Sequence, residues 1–314
     1  MSSHPEGKTG NTARAMTMEE QRIQQEASKN EPEFLYHYTT AKGLYGILEK
    51  ECIWATHYRF LNDLSECLEA AESFEAKIRQ QSSTQFSQLE ISRDVRQAHC
   101  NNILNTLRAQ IESTDAYFVS FTDESTSQTP GDRLTLWRGY GENSQGFSLG
   151  FRRSKLKQRV NFFEQQLRKQ IPLKQCLYGE TDESELEREA IIGTLVGFLV
   201  LPNSQVLEKV LQWSAQFKNG AFYEEREWRF VLQISKAERE SNGVHIEFHD
   251  GRFGRTPHIA IPLDLKGQDS PLERIVVSPA PDKEQVATRL KINLLQMGIH
   301  GVEVVASEIP CRNW

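Results

Sequence analysis

The chain has 314 residues, of which 38% are hydrophobic, 25% charged and 9% aromatic, so it has the composition of a folded protein of one large or two small domains. Its 37 basic and 43 acidic residues give a formal net charge of −6 and a pI near 5.8. This charge excludes a surface that coats nucleic acid unspecifically, although a local basic groove is compatible with it.

The N-terminal 30 residues are rich in Ser, Thr, Glu and Gln and have no aromatic side chain. They predict a disordered or partly helical arm, followed by a single domain over 31–314. The arm has no apolar core of the kind that a secretory signal needs. The longest apolar stretch, 191–201, is far shorter than a membrane span. We therefore expect a cytoplasmic protein with no membrane partner.

The five cysteines are odd in number and show no C-x-x-C spacing. That pattern predicts free thiols, with neither a disulfide framework nor a structural metal site.

The first half of the domain alternates short strands with helices. An aromatic run at 34–38 predicts a buried strand, and Thr39 or Thr40 is a suitable N-cap for a helix over 41–50. A short extended segment at 53–56 then leads into a polar helical insertion over about 65–113.

The second half is dominated by extended segments. Strands are predicted at 116–122 and 146–151, with a loop between them that passes through 136–138, and further strand-like and helical segments follow. These lie at 175–178 (strand), 182–201 and 204–218 (helices), 225–232, 244–249, 258–263, 274–278 and 302–306 (strands), and 282–297 (helix). The mixed order predicts an α+β fold with a mainly antiparallel core sheet.

Three groups of residues have the chemistry of a site. His37 lies on the first predicted strand before a hydroxyl-rich turn, where one ring nitrogen could bind a ligand while a backbone group fixes the other. A buried histidine satisfied by main chain is the alternative. Ser120, with the nearby Trp137 and Arg138, could hold a flat ring and an anionic group, but core packing explains these aromatics equally well.

The third group is the pair Glu225 and Glu227. On a strand, alternate side chains share a face about 7 Å apart, so both carboxylates would point the same way while Trp228 points to the other side. A like-charge pair on a partly buried face often has a raised pKa, which is typical of a functional site. A solvated face balanced by Arg226 and Arg229 is the alternative, and the two interpretations weigh about equally.

Taken in order, the motifs resemble the bacterial proteins grouped as domain of unknown function 2971. The resemblance covers about residues 34–280 and rests on six segments. They are YHYTTAKGLYGIL at 36–48, WATHYRFLNDLSE at 54–66, VSFT at 119–122, LWRGYG with GFSLGF between 136 and 151, and EREWRFV at 225–231.

The layout is also similar to the diphtheria-toxin-like ADP-ribosyltransferases, which implies split antiparallel β-sheets with helical insertions and a cleft that binds NAD. By that resemblance Glu227 is the catalytic glutamate and Glu225 the preceding carboxylate. The implied NAD contacts come from strand and loop residues. His37 would bind the ribose next to nicotinamide, and Tyr38 or Trp137 would stack on the nicotinamide ring. The other implied NAD contacts are Thr39, Ser120 and Arg138.

The resemblance implies an NAD-dependent mono-ADP-ribosyltransferase of the toxin or phage-defence kind, with no metal. Its acceptor would be RNA, DNA or protein, with nucleic acid slightly favoured. A nucleic acid would bind to a local basic patch. That patch would consist of Lys155, Lys157, Arg159 and Arg168. A neutralising, antitoxin-like protein is the expected partner. The alternatives are a catalytically silent module that binds a nucleotide or partner, an NAD glycohydrolase and a 2′-phosphate transferase.

Overall fold

The computed structural model describes most of the chain from residue 31 to residue 310. The described residues are 31–61, 79, 92–125, 127–141, 145–178, 212, 215–218, 220–251 and 254–310. The predicted arm over 1–30, the helix predicted over 182–201 and the first part of the insertion lie outside this set, apart from Arg79.

Strands make up the framework of the described part. They are β1 (Phe34–Thr39), β2 (Cys52–His57), β3 (Thr114–Thr122), β4 (Phe147–Arg152), β5 (Leu173–Gln175), β6 (Leu177–Tyr178), β7 (Phe217–Lys218), β8 (Glu227–Ser235), β9 (Glu247–Gly251), β10 (Gly254–Pro262), β11 (Leu272–Val277) and β12 (Glu303–Ala306).

Helices flank these strands. They are α1 (Ala41–Lys50), α2 (Arg93–Ser113), α3 (Leu134–Tyr140), α4 (Arg153–Leu167), α5 (Lys236–Ser241) and α6 (Lys283–Gln296), with 3₁₀ turns at Tyr58–Phe60 and Gly220–Glu225. None of the helices in the described ranges is long and apolar enough to cross a membrane.

Ten of the strands form one open sheet in the order β12, β11, β4, β1, β3, β2, β10, β9, and β8 pairs with both β3 and β5. Only β11 and β12 run parallel within this sheet, so the prediction of a mainly antiparallel core sheet is confirmed. The short strands β6 and β7 form a separate parallel ribbon.

Local sequence explains the predicted elements well. Thr40 caps α1 by accepting a hydrogen bond from the Gly43 amide at 3.1 Å, and Leu44, Ile47 and Leu48 are the buried side chains of that helix. The chain after Thr39 therefore leaves β1 and packs straight back on the sheet.

One predicted helix is corrected at its end, because residues 217–218 form β7 rather than the last turn of a helix over 204–218.

Helix α4 was not predicted, although its buried residues recur at helical spacing. Leu156, Val160, Phe163 and Leu167 are all enclosed against the main core. Three residues of the predicted basic patch lie on α4 and Arg168 follows its end, but two members are already paired: Lys155 contacts Glu273 at 2.9 Å and Arg159 contacts Asp264 at 2.9 Å. The patch is therefore less positive than its sequence indicates.

Candidate functional site

The centre of the site is a fork in the sheet, where β1 and β2 share one edge of β3. β1 meets β3 with Tyr36 opposite Thr122, and β2 meets it with Thr56 opposite Phe118. Residues 119–121 of β3 thus lie between two diverging strands. A divergence of this kind opens a pocket and leaves backbone groups that need other partners.

His37 supplies one of those partners. Its Nδ1 lies 2.9 Å from the backbone oxygen of Ser120, and because a carbonyl oxygen can only accept, Nδ1 must carry the proton. Burial lowers the pKa of His37, outweighing the Ser120 contact, so the ring is neutral. Its Nε2 is therefore a hydrogen-bond acceptor, and the residue lines the pocket.

Strand β8 brings charged residues to the same pocket along the other edge of β3. Glu227 lies opposite Thr122, and Arg229 lies opposite Ser120. Because paired residues and their i+2 neighbours share a face, these four side chains point the same way. Trp228, between the two charges, points into the main core as the sequence predicts.

Glu227 is almost fully buried and ionised. Arg229 donates to its carboxylate through Nε at 2.6 Å and Nη2 at 3.0 Å, and Lys218 donates through Nζ at 2.5 Å. Burial alone would raise the pKa of Glu227, as the sequence predicts, but these two cations outweigh burial and lower the pKa to about 2. The backbone amide of Glu227 donates a hydrogen bond to the Tyr178 hydroxyl at 2.6 Å, and this bond fixes the start of β8.

Glu225 reaches the same cluster from a different backbone position than predicted. It ends a 3₁₀ turn rather than lying on the strand, and Arg226 after it takes a left-handed conformation with φ of 44°. The two carboxylates still meet, because Lys218 Nζ also binds Glu225 at 2.6 Å. The Tyr140 hydroxyl donates to the other oxygen of Glu225 at 2.9 Å.

Three predicted ligand residues lie outside the pocket lining. Trp137 is fully enclosed, and its Nε1 donates to Asp132 at 2.8 Å, so it is not placed to stack on a ligand. Arg138 is exposed on α3, and Thr39 lies at the last position of β1. Their prediction as contact residues is not supported by this arrangement.

Tyr38 does line the pocket, but its hydroxyl already has a partner. It donates to the buried carboxylate of Glu124 at 2.6 Å and accepts from the Arg133 amide at 3.0 Å. Burial, together with the Glu124 carboxylate, raises the pKa of Tyr38 far above its usual range. The ring packs edge-on against Trp137. Tyr38 is therefore a fixed wall of the pocket.

Several residues that line the pocket are not among the predicted site residues. Lys218 precedes Glu225 by seven positions in a stretch without clear periodicity, so only the fold reveals its contact. Trp54, Tyr140 and Phe222 also line the pocket, which has a volume of about 210 Å³. Trp54 and Tyr140 belong to motifs that the sequence analysis names, whereas Phe222 has no local sequence signal.

Metal ligands are not grouped in the described ranges. No cluster of three or more His, Cys, Asp or Glu residues there could hold a metal ion.

A histidine pair supports one wall of the pocket and predicts acid sensitivity. His249 and His258 both pack on the Trp54 ring, with their Nδ1 atoms 3.1 Å apart, and burial lowers the pKa of each. A lowered histidine pKa means that the unfolded chain binds more protons, so stability is complete above about pH 6.5 and falls as the pH drops below that value.

The test is urea unfolding at pH 7.5 and 5.5. We expect a smaller free energy of unfolding at pH 5.5, and a smaller pH dependence in His258→Phe, which keeps a ring on Trp54 but cannot titrate. Equal pH dependence in the two proteins would contradict the role of this pair.

Comparison with known proteins gives one family match. The family model described as Protein of unknown function (DUF2971) matches residues 136–230, a segment that includes Tyr140, Lys218, Glu225 and Glu227. No curated protein and no solved structure matches the chain. The match supports the resemblance to the domain-of-unknown-function family over this segment, which is less than half of the chain and does not include His37 or Ser120.

Proposed function

We propose that the chain is a mono-ADP-ribosyltransferase that uses NAD as its substrate. The observation that supports this most strongly is the convergence of His37, Ser120 and Glu227. These residues come from β1, β3 and β8, far apart in sequence, and they line one pocket at the fork of the sheet. In this interpretation the fork corresponds to the cleft between the split sheets of the transferase fold.

The chemistry of the pocket suits a nicotinamide ribose. The neutral His37 offers Nε2 as an acceptor for a ribose hydroxyl, and Trp54 offers aromatic surface for a flat ring. Glu227 supplies a fixed negative charge beside the position where positive charge would develop. A carboxylate with a pKa of about 2 stays ionised at any physiological pH.

The proposed reaction replaces one bond at the ribose. The bond between C1′ and the nicotinamide nitrogen breaks, and nicotinamide leaves with the bonding electron pair. The resulting oxocarbenium-like ribose is stabilised by the carboxylate of Glu227. The acceptor nucleophile then bonds to C1′ and loses its proton to water. With water as the nucleophile, the same site would be an NAD glycohydrolase.

A second candidate is a catalytically silent module that binds a nucleotide. It is favoured by one observation, namely that Lys218 and Arg229 already pair with the two carboxylates. Paired carboxylates project less negative charge into the pocket than free ones do. In this candidate NAD or ADP-ribose binds, but no nicotinamide is released.

The test separates transfer from binding and names the acceptor class. The purified chain is incubated with NAD labelled in its adenylate part and with cell extract divided into RNA, DNA and protein fractions. We expect label in one fraction and release of nicotinamide, with the RNA or DNA fraction favoured. Binding of NAD with neither label transfer nor nicotinamide release would select the silent module.

The proposal includes a biological role. A transferase that modifies RNA or DNA would harm its own cell, so an effector of the toxin or phage-defence kind requires restraint. We expect a neutralising, antitoxin-like protein as its partner.

A substitution of His37 tests its proposed contact with NAD. In His37→Asn the side-chain amide can still donate to the Ser120 oxygen, but the acceptor at the Nε2 position is lost. We expect the KM for NAD to rise roughly tenfold, which corresponds to one lost hydrogen bond. Steady-state nicotinamide release is the measurement, and an unchanged KM in a stably folded variant would contradict the contact.

A further inference from the structure

Lys218 occupies the space between the two carboxylates of the pocket. Its side chain is only 6% exposed, and its Nζ contacts Glu225 at 2.6 Å and Glu227 at 2.5 Å. Burial would lower the pKa of Lys218, but Glu227 and Glu225 outweigh it and raise the pKa above its usual range. Lys218 is therefore a resident cation inside the site.

The carboxylate oxygens of this cluster are all engaged. In Glu227, one carboxylate oxygen accepts a hydrogen bond from Arg229, and the other accepts hydrogen bonds from both Arg229 and Lys218. In Glu225, one carboxylate oxygen accepts a hydrogen bond from Lys218, and the other accepts one from the Tyr140 hydroxyl. Among the described residues that line the pocket, two carboxylates thus face two cationic side chains, and their formal charges sum to zero.

This charge balance bears on the acceptor. A guanidinium or ammonium acceptor would have to displace Lys218 from a buried position or add a third cation to two carboxylates. An uncharged nucleophile meets neither obstacle. Aromatic rings at the same pocket favour a flat acceptor, because Phe222 and Tyr140 line it while remaining 38% and 37% exposed. Exposed rings of this kind stack on nucleobases without regard to sequence.

We infer that Lys218 determines acceptor specificity, by excluding cationic acceptors and leaving the pocket to an uncharged nucleobase. This inference rests on the proposed function. In the step, a nucleobase nitrogen bonds to C1′ of the ribose, the bond from C1′ to nicotinamide breaks, and the proton on the attacking nitrogen passes to water. NAD is the co-reactant, and no oxidant or reductant is needed.

The experiment compares two acceptors with one labelled NAD pool. One acceptor is a mixture of single-stranded RNA and DNA oligonucleotides containing all bases, and the other is agmatine, a small guanidinium compound. The proteins are the full chain, Lys218→Met and Lys236→Met, the last being a matched change at a side chain that is 79% exposed. Nicotinamide release is recorded in every sample.

For the unchanged chain we expect oligonucleotide labelling at least tenfold above agmatine labelling. Lys218→Met should shift this ratio at least tenfold toward agmatine, because the substitution removes one of the two cations that face the carboxylate pair. Lys236→Met should leave the ratio unchanged. Nicotinamide release with agmatine labelled as well as the oligonucleotides would overturn the inference and leave the proposed function standing. Absence of nicotinamide release from NAD would overturn both.

A second variant keeps the test decisive if Lys218→Met does not fold. Phe222→Leu retains the charge cluster and removes the exposed ring. We expect oligonucleotide labelling to fall at least tenfold more than nicotinamide release in the absence of an acceptor falls. Equal losses in both readouts, or no loss in either, would contradict a base-stacking role for this ring.

Discussion

Glu227→Gln should lower nicotinamide release from NAD by about 10²–10³-fold, the range found when one stabilising group for transition-state charge is removed. Gln has nearly the same shape and can still accept from Arg229, but it carries no negative charge to stabilise the ribose cation. The measurement is kcat for nicotinamide release, with thermal unfolding recorded in parallel.

The matched controls are Glu225→Gln and Glu240→Gln. Glu240 lies on α5 with its side chain 67% exposed, so its substitution should leave the rate unchanged. Glu225→Gln should slow transfer to an acceptor more than it slows release of nicotinamide, because Glu225 is the more exposed carboxylate, with its side chain 18% exposed against 6% for Glu227. A folded Glu227→Gln protein with the full rate would refute the assignment of Glu227.

Arg229→Met should destabilise the protein by about 3 kcal/mol, since breaking a buried ion pair leaves an under-compensated charge behind. Arg229 is 2% exposed, it holds Glu227 through two nitrogen atoms, and its Nη1 donates to the Ala215 oxygen at 3.2 Å. Lys218 remains beside Glu227 and limits the loss. Urea unfolding monitored by fluorescence gives the free energy.

The double variant Glu227→Gln with Arg229→Met separates charge from packing. Because it removes both members of the pair, we expect it to be more stable than Arg229→Met alone. A loss below about 1 kcal/mol in Arg229→Met, or a double variant less stable than the single one, would show that the ion pair does not control stability here.

The elements with strong local signals were predictable from sequence. The aromatic run of β1 and the threonine cap of α1 depend on neighbouring residues alone, and both appear where expected. Helix α4 was not predicted, although Leu156, Val160, Phe163 and Leu167 recur at helical spacing in its sequence. The fold of that segment was therefore readable from its sequence.

The site was predictable only in part, because its geometry depends on long-range register. His37 and Ser120 could be singled out by residue type, but their contact exists because β1 and β2 diverge along β3. Trp137 looked like a ligand platform, yet Asp132 and Tyr38 hold it inside the core. Lys218 had no local signal, since its role comes from the packing of β7 beside the start of β8.

A crystal structure of the Glu227→Gln variant with NAD bound tests the proposed NAD site most directly, because this variant should bind the substrate without consuming it. We expect the nicotinamide ribose in the fork of the sheet, with a ribose hydroxyl about 2.7–3.0 Å from Nε2 of His37. We also expect the glutamine side chain introduced by the substitution to lie against the same ribose. NAD bound outside the fork, or a pocket that stays empty at saturating NAD, would contradict the central claim.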